Sequence, residues 1–270
     1  MIDIVDLIQA TVRLEQDQAG SRRTIGTGFI VVAADADGRP KTILITARHV
    51  LAHMPGDRVK VGFRAQSPDG RWTYAPVNVR IRDAEGDPLW TSHPTQDVAV
   101  IGLPAGVTAS GLPARELPGE RALETLGVKP GDEMMVLGFP IGFASNSAGF
   151  PILRSGRVAS YPLSPADRYP TYMVDFNVFS GNSGGPVYAA APKPAARGEI
   201  VITGMLTQQI RTEGQRLAIG NVTQADFITE TLSLLDGGVP AEVTTATCPL
   251  PVNEGLPASA AAAASSLEGV

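Results

Sequence analysis

The chain alternates between short apolar runs and polar, turn-forming breaks. Ala10-Thr11-Val12-Arg13-Leu14 alternates and runs into a polar turn from Asp17 to Arg23. Gly28-Phe29-Ile30-Val31-Val32 is rich in β-branched residues and ends at Asp35-Ala36-Asp37-Gly38, with Thr42-Ile43-Leu44-Ile45-Thr46 as its hairpin partner. Arg58 to Phe63 and Val77 to Ile81 place apolar side chains at every second position, as half-buried strands do. Asp97-Val98-Ala99-Val100-Ile101 closes this half. A Pro/Gly-rich stretch from Pro104 to Gly119 reads as a linker. The same style then resumes at Glu133 to Leu137, Ile152 to Ala159, Thr171 to Phe176, Val187-Tyr188, Ile200 to Leu206 and Leu217 to Asn221. Only Gln224 to Leu235 has helical spacing, with Phe227, Ile228, Leu232 and Leu235 able to share one face. From Asp236 the composition turns to Gly, Pro, Thr, Ala and Ser. The pattern predicts an all-β chain of two barrels with a cleft between them, the first over 1–117 and the second over 118–235 with a C-terminal helix. Residues 236–270 form a flexible tail or linker in this reading.

Composition narrows the function. Glycine (29) and proline (22) suit many short strands joined by turns better than a helical bundle. A net charge of −5 leaves no basic footprint, which argues against a nucleic-acid partner. No apolar run approaches the roughly 20 residues of a membrane span. The single cysteine, Cys248, excludes an internal disulfide and is read as an incidental exposed thiol of the tail. With the acidic start Met1-Ile2-Asp3-Ile4-Val5-Asp6, which lacks the positive opening of a signal peptide, this favours a cytoplasmic location, or a periplasmic one if a leader was removed.

Three segments carry candidate chemistry. Ile45-Thr46-Ala47-Arg48-His49-Val50 is a strand running into a histidine, Asp97 opens a buried strand, and Ser180-Gly181-Asn182-Ser183-Gly184-Gly185-Pro186-Val187 surrounds a serine with glycines. A serine hydroxyl is a poor nucleophile until a base lies within hydrogen-bond reach, and that base needs a third group to fix its tautomer. His49 and Asp97 fill those roles for Ser183. Gly181 lets the backbone turn so that its N–H and that of Ser183 point at one spot, where they would hold an oxyanion. Each element alone has an ordinary structural explanation, and it is the ordered trio that points to catalysis.

Other arrangements fail on order. Gly181-Asn182-Ser183-Gly184-Gly185 also fits the nucleophile elbow of α/β-hydrolases, but that fold places its histidine after the serine, whereas His49, His53 and His93 all precede it. A subtilisin-like order would require Asp35 or Asp37, which sit in a hairpin turn. His49 and His53 have the spacing of two ligands on a helix, but Leu51 and Ala52 stand between them without a glutamate, so no metal is implied. His53 reads as an exposed residue near Pro55-Gly56, His93 as a loop residue, and Asp175 as a strand residue rather than a second acid.

At these positions the sequence resembles the trypsin-like peptidase family, in its bacterial HtrA-like branch, without a following PDZ domain. The likeness rests on Gly26-Thr27-Gly28-Phe29-Ile30, the His49 and Asp97 segments, Leu137-Gly138-Phe139-Pro140, Ser155-Gly156-Arg157-Val158 and Gly181 to Pro186, in the family's order. It implies a chymotrypsin-like fold of two six-stranded antiparallel barrels, with His49 and Asp97 on the first and Ser183 on the second. It implies a serine endopeptidase that acts on a protein or peptide substrate and uses no cofactor. Asn182 stands where digestive relatives carry an aspartate that pairs with a newly cut N-terminus, so activation of that kind is not expected. By the same resemblance the substrate pocket involves Asn177, Phe179, Thr207, Gln208 and Gln209. None of these is a carboxylate, so an uncharged residue is expected before the scissile bond. The Gly/Ser-rich loop Ile141 to Gly149 is a candidate gate for the oxyanion hole. Two rival readings stay open: a binding module on a protease scaffold, and an intracellular effector protease whose latent site awaits a regulatory protein partner.

Overall fold

The computed structural model describes residues 2–34, 38–104, 107, 110–119, 121–190, 199–212, 215–235 and 243–245. The chain opens with a feature absent from the predicted elements. Strand β1 (Ile2–Asp3) leads into helix α1 (Ile4–Ala10), whose first turn is capped by the Asp3 carboxylate accepting the Val5 N–H at 2.7 Å. Leu7 and Ala10 are the buried face of α1, and the Thr11 hydroxyl donates to the Leu7 carbonyl where the helix ends.

The first sheet follows as β2 (Thr11–Asp17), β3 (Arg23–Ala34), β4 (Pro40–Thr46), the short helix α2 (Arg48–Ala52), β5 (Arg58–Gln66), β6 (Trp72–Arg80), β7 (Thr91–Ser92), β8 (Ala99–Gly102) and β9 (Leu112–Pro113). Its spatial order is β6-β5-β2-β3-β4-β8-β7, all antiparallel, with β9 lying parallel to β3. The segment Pro104–Gly119, expected as a linker, is therefore docked where it is described: Leu112 is buried opposite Val31. Between β6 and β7 the chain is irregular. Pro88 cannot donate to a ladder, and a backbone bond from Leu89 N–H to the Ile81 carbonyl (2.9 Å) takes its place.

After helix α3 (Ala122–Thr125) the second sheet is built from β10 (Glu133–Gly138), β11 (Ile152–Val158), β12 (Thr171–Asp175), β13 (Pro186–Ala190), β14 (Glu199–Thr212) and β15 (Gln215–Gln224). Its order is β14-β13-β10-β11-β12-β15, and β15 pairs back onto β14, so these six antiparallel strands close into a barrel. The alternation seen in sequence is the barrel's inside and outside. Tyr172 and Val174 of β12 point inward, Met173 and Asp175 outward. The Tyr172 phenol would be costly in that interior without a partner; it meets the Thr203 hydroxyl at 2.8 Å, and burial pushes its pKa up. β1 adds to the free side of β14 through Ile2 and Ile200, which ties the start of the chain to the second barrel.

Helix α4 (Ala225–Ser233) packs as its spacing predicted, with Phe227 and Ile228 buried and Leu232 and Leu235 against the same core. Of the tail, β16 (Val243–Thr245) lies antiparallel to β6. The rest of 236–270, with Cys248, falls outside the described residues. One core runs through the first sheet and on to Leu137, Tyr188, Ile202 and Phe227 behind the second. A separate one, including Tyr172, Phe176, Leu206 and Val222, fills the second barrel. This is the chymotrypsin-like arrangement of two barrels, with a site between them.

Candidate active site

The register of β4 and β8 brings the histidine and the acid together. Thr46 pairs with Ala99, so His49, three residues beyond Thr46, and Asp97, two before Ala99, leave the same end of the strand pair. The turn into α2 lifts His49 over Asp97. The His49 Nδ1 lies 2.6 Å from Asp97 Oδ2, and the His49 backbone N–H donates to Asp97 Oδ1 at 2.9 Å. The Arg48 N–H adds a longer bond to the Asp97 carbonyl at 3.4 Å. Both carboxylate oxygens are thus committed to one residue. A neutral imidazole held this way carries its proton on Nδ1 and leaves the Nε2 lone pair for a serine hydroxyl.

The loop bearing Asp97 is itself held by a histidine. His93, expected as a plain loop residue, is buried. Its Nδ1 accepts the N–H groups of Thr95 (3.2 Å) and Gln96 (2.9 Å), and its Nε2 faces Glu230 of α4 at 3.0 Å. With Nδ1 accepting, the ring's proton sits on Nε2 and is donated to the glutamate. His53 is exposed, its ring edge-on to His49.

Ser183 sits in a tight turn docked on the first sheet. Thr27 of β3 makes most of that dock: its N–H donates to the Ser183 carbonyl (2.8 Å), its hydroxyl donates to the Gly181 carbonyl (2.6 Å), and it accepts the Phe139 N–H (3.1 Å). Gly184 N–H donates to the Leu206 carbonyl at 2.7 Å. Gly181 (φ 95°) and Gly184 (φ 89°) occupy left-handed backbone, and a Cβ on either would collide with a carbonyl oxygen, of Phe139 or of Thr27. The sequence Gly26-Thr27-Gly28 showed a motif; its function as the seat of the serine loop emerges only here.

The Ser180 carbonyl accepts the Ile141 N–H at 2.6 Å. Because the peptide is trans, the Gly181 N–H then points the opposite way. Among the described residues neither this N–H nor that of Ser183 donates to any protein group. Ser183, His49, Gly181 and Ser180 line a common cleft of about 440 Å³ whose other wall is Arg23, Thr24 and Ile25 of β3. That wall was not foreseen from sequence. No hydrogen bond joins Ser183 to His49, a contact that in such sites commonly tightens on substrate binding.

The residues expected in the substrate pocket do not line this cleft. Asn177 is exposed beyond β12, and Phe179 is half-buried with the Arg154 guanidinium 5.2 Å from its ring. Thr207 is buried and its hydroxyl is engaged with the Asn221 carbonyl at 3.2 Å. Gln208 and Gln209 are paired along β15 with Asn221 and Gly220. Asp175 is exposed on β12. Among the described residues no cluster of three or more His, Cys, Asp or Glu has the geometry of a metal site, and no helix is long and apolar enough to cross a membrane.

A family model described as the trypsin-like peptidase domain matches residues 26–193, well over half of the chain. The chain belongs to the trypsin-like peptidase family. The matched span holds most of β3, His49, Asp97 and the serine turn. Solved structures of this fold align over most of it. The HtrA-type protease AlgW with a decapeptide has a TM-score of 0.52 at 19% identity, covering 87% of this chain and 67% of that one. The active form of the Rv3671c protease from M. tuberculosis gives 0.51 at 19%, covering 88% and 86%. A scabies mite inactivated protease paralogue gives 0.50 at 14%, covering 87% and 96%. At such identities the likeness is one of fold. No curated protein matches the sequence.

Proposed function

We propose that this trypsin-like peptidase is a serine endopeptidase that cleaves peptide bonds through an acyl-enzyme. The observation that carries the proposal is the doubly fastened His49–Asp97 pair, at 2.6 and 2.9 Å, facing the same cleft as Ser183 and two unpartnered N–H groups. Ser183 Oγ attacks the carbonyl carbon of the scissile bond as His49 Nε2 takes its proton. Asp97 stabilises the resulting imidazolium without itself taking the proton. The N–H groups of Gly181 and Ser183 hold the oxyanion, and removing one such donor typically costs about 10²–10³-fold in kcat. His49 returns the proton to the leaving amine, and a water then repeats the sequence to release the acid and free Ser183. No cofactor enters this scheme.

The test is labelling of the purified protein with a fluorophosphonate, with Ser183→Ala as control. Labelling that disappears in Ser183→Ala is expected. A well-folded parent that stays unlabelled would overturn an autonomous enzyme and favour the partner-dependent or binding-only readings.

A further inference from the structure

Two arginines of the first sheet reach across to the loop that follows β10. Arg13 of β2 donates from Nη1 to the Gly142 carbonyl (2.8 Å) and from Nη2 to the Tyr74 phenol oxygen (3.2 Å), and its Nε faces Glu15 at 3.3 Å. Arg64 of β5 donates to the Gly149 carbonyl (2.9 Å) and to the carbonyls of Gln9 (2.6 Å) and Thr11 (2.7 Å). Its guanidinium also lies 4.8 Å from the Phe150 ring. Burial lowers the Arg64 pKa to about 10, which leaves it a cation at neutral pH. The arc between Gly142 and Gly149 is therefore clamped at both ends by the other barrel.

Just before the first clamp stands Ile141, with φ 55° in left-handed backbone that a β-branched residue avoids. Its side chain is 70% exposed, so packing does not hold it there. What holds it is backbone: its N–H on the Ser180 carbonyl, the turn bonds from the Gly142 N–H to the Phe139 carbonyl (2.9 Å) and from the Phe143 N–H to the Pro140 carbonyl (2.8 Å), and the grip of Arg13 on the carbonyl of the next residue. The Ile141–Ser180 bond decides which way the Ser180–Gly181 peptide faces. Without it the plane is free to turn, which would replace the Gly181 N–H in the cleft with a carbonyl oxygen that repels an oxyanion.

We propose that Arg13 is a positioning residue for the oxyanion hole, acting through Gly142, Ile141 and Ser180 on the Gly181 N–H. The inference rests on the assignment of that N–H as an oxyanion donor. Arg13 touches no reacting atom; it keeps a strained loop in the one conformation that turns the donor inward.

The experiment is saturation kinetics of fluorophosphonate inactivation for the parent, Arg13→Met and Arg13→Ala, with thermal unfolding of each. Met keeps the apolar stem and removes the donors, and the two variants are made in parallel so that one folded variant suffices. The maximal inactivation rate is expected to fall about 10²–10³-fold, the loss of one oxyanion donor, while the reversible binding constant of the probe stays unchanged. Arg13→Lys, which can still reach one carbonyl, should recover part of the rate. A folded variant that is inactivated as fast as the parent, or a loss that only follows the unfolded fraction, overturns the inference and leaves the proposed function standing. A parent that is not inactivated at all overturns both.

Discussion

Thr27 and Asp97 each bind with more than one atom, and that is what makes them informative to substitute. Thr27 spends its hydroxyl as donor to the Gly181 carbonyl and as acceptor of the Phe139 N–H, both in a fully buried position. Thr27→Val preserves shape but leaves those two backbone groups unpaired, at about 1–3 kcal/mol for each buried group left unsatisfied. Calorimetry should show a lower melting temperature together with slower labelling of Ser183; an unchanged melting temperature would mean that the serine turn is seated by other contacts. Asp97→Asn keeps an acceptor for the His49 N–H but can present an amide to Nδ1, which selects the wrong tautomer. The expected loss is about 10⁴-fold in kcat with little change in stability, measurable on a peptide substrate beside the unfolding curve. A loss of less than tenfold would remove Asp97 from the triad.

At the scale of elements, the loop from His93 to Val98 is a small rigid bracket. Two N–H groups converge on the His93 Nδ1 and α4 takes the other nitrogen through Glu230. His93→Ala would strip both N–H groups of their acceptor and open a gap against Phe227, whose ring lies 5.3 Å away. A destabilisation of about 2–4 kcal/mol is expected from these losses together, and His93→Asn, which restores an acceptor near Nδ1, should recover part of it in chemical denaturation. Equal losses in both variants would place the cost in packing alone. This bracket also shows where sequence reading stops. Period-two alternation made the strands legible, because inward and outward positions differ in polarity, and the helical face of α4 was legible for the same reason. Histidine, acid and serine were legible as an ordered set. A lone histidine before a proline carries no sign that its ring will cap two amides. Arg13 and Arg64, each alternating with apolar residues, read as the wet side of a strand, and their carbonyl partners in the loop after β10, more than 80 positions away, leave no local trace. Helix α1 leaves only a faint trace because it is seven residues long; the Asp3 cap and the spacing of Ile4, Leu7 and Ile8 are its signal.

Across the whole molecule, the ties between the two barrels include His93 on α4, the serine turn on Thr27, the arginine clamps on the loop after β10, and β1 on β14. The last is the easiest to cut. Deleting residues 1–6 removes Ile2, which is 1% exposed, and uncovers the edge of β14 at Ile200. Losing one such buried side chain costs about 1.5–3 kcal/mol and the Asp3 cap of α1 about 1 kcal/mol more, which for a chain of this size corresponds to a fall of roughly 5–15 °C in the melting temperature. Differential scanning calorimetry would decide it, and an unaltered transition would show that β1 is an ornament of the barrel and not a tie. The pairing of Ile2 with Ile200 has a consequence for how the protein comes into being. A chain made from its N-terminus holds its first strand without a partner until residue 200 has emerged from the ribosome. His49 and Asp97 can meet once the first hundred residues are out, but the turn of Ser183 is pinned by Leu206, about a hundred residues later. A growing chain therefore holds the proposed base for about a hundred residues of synthesis before the turn of the proposed nucleophile can be pinned, and β15, which closes the second barrel, and α4 are still to come.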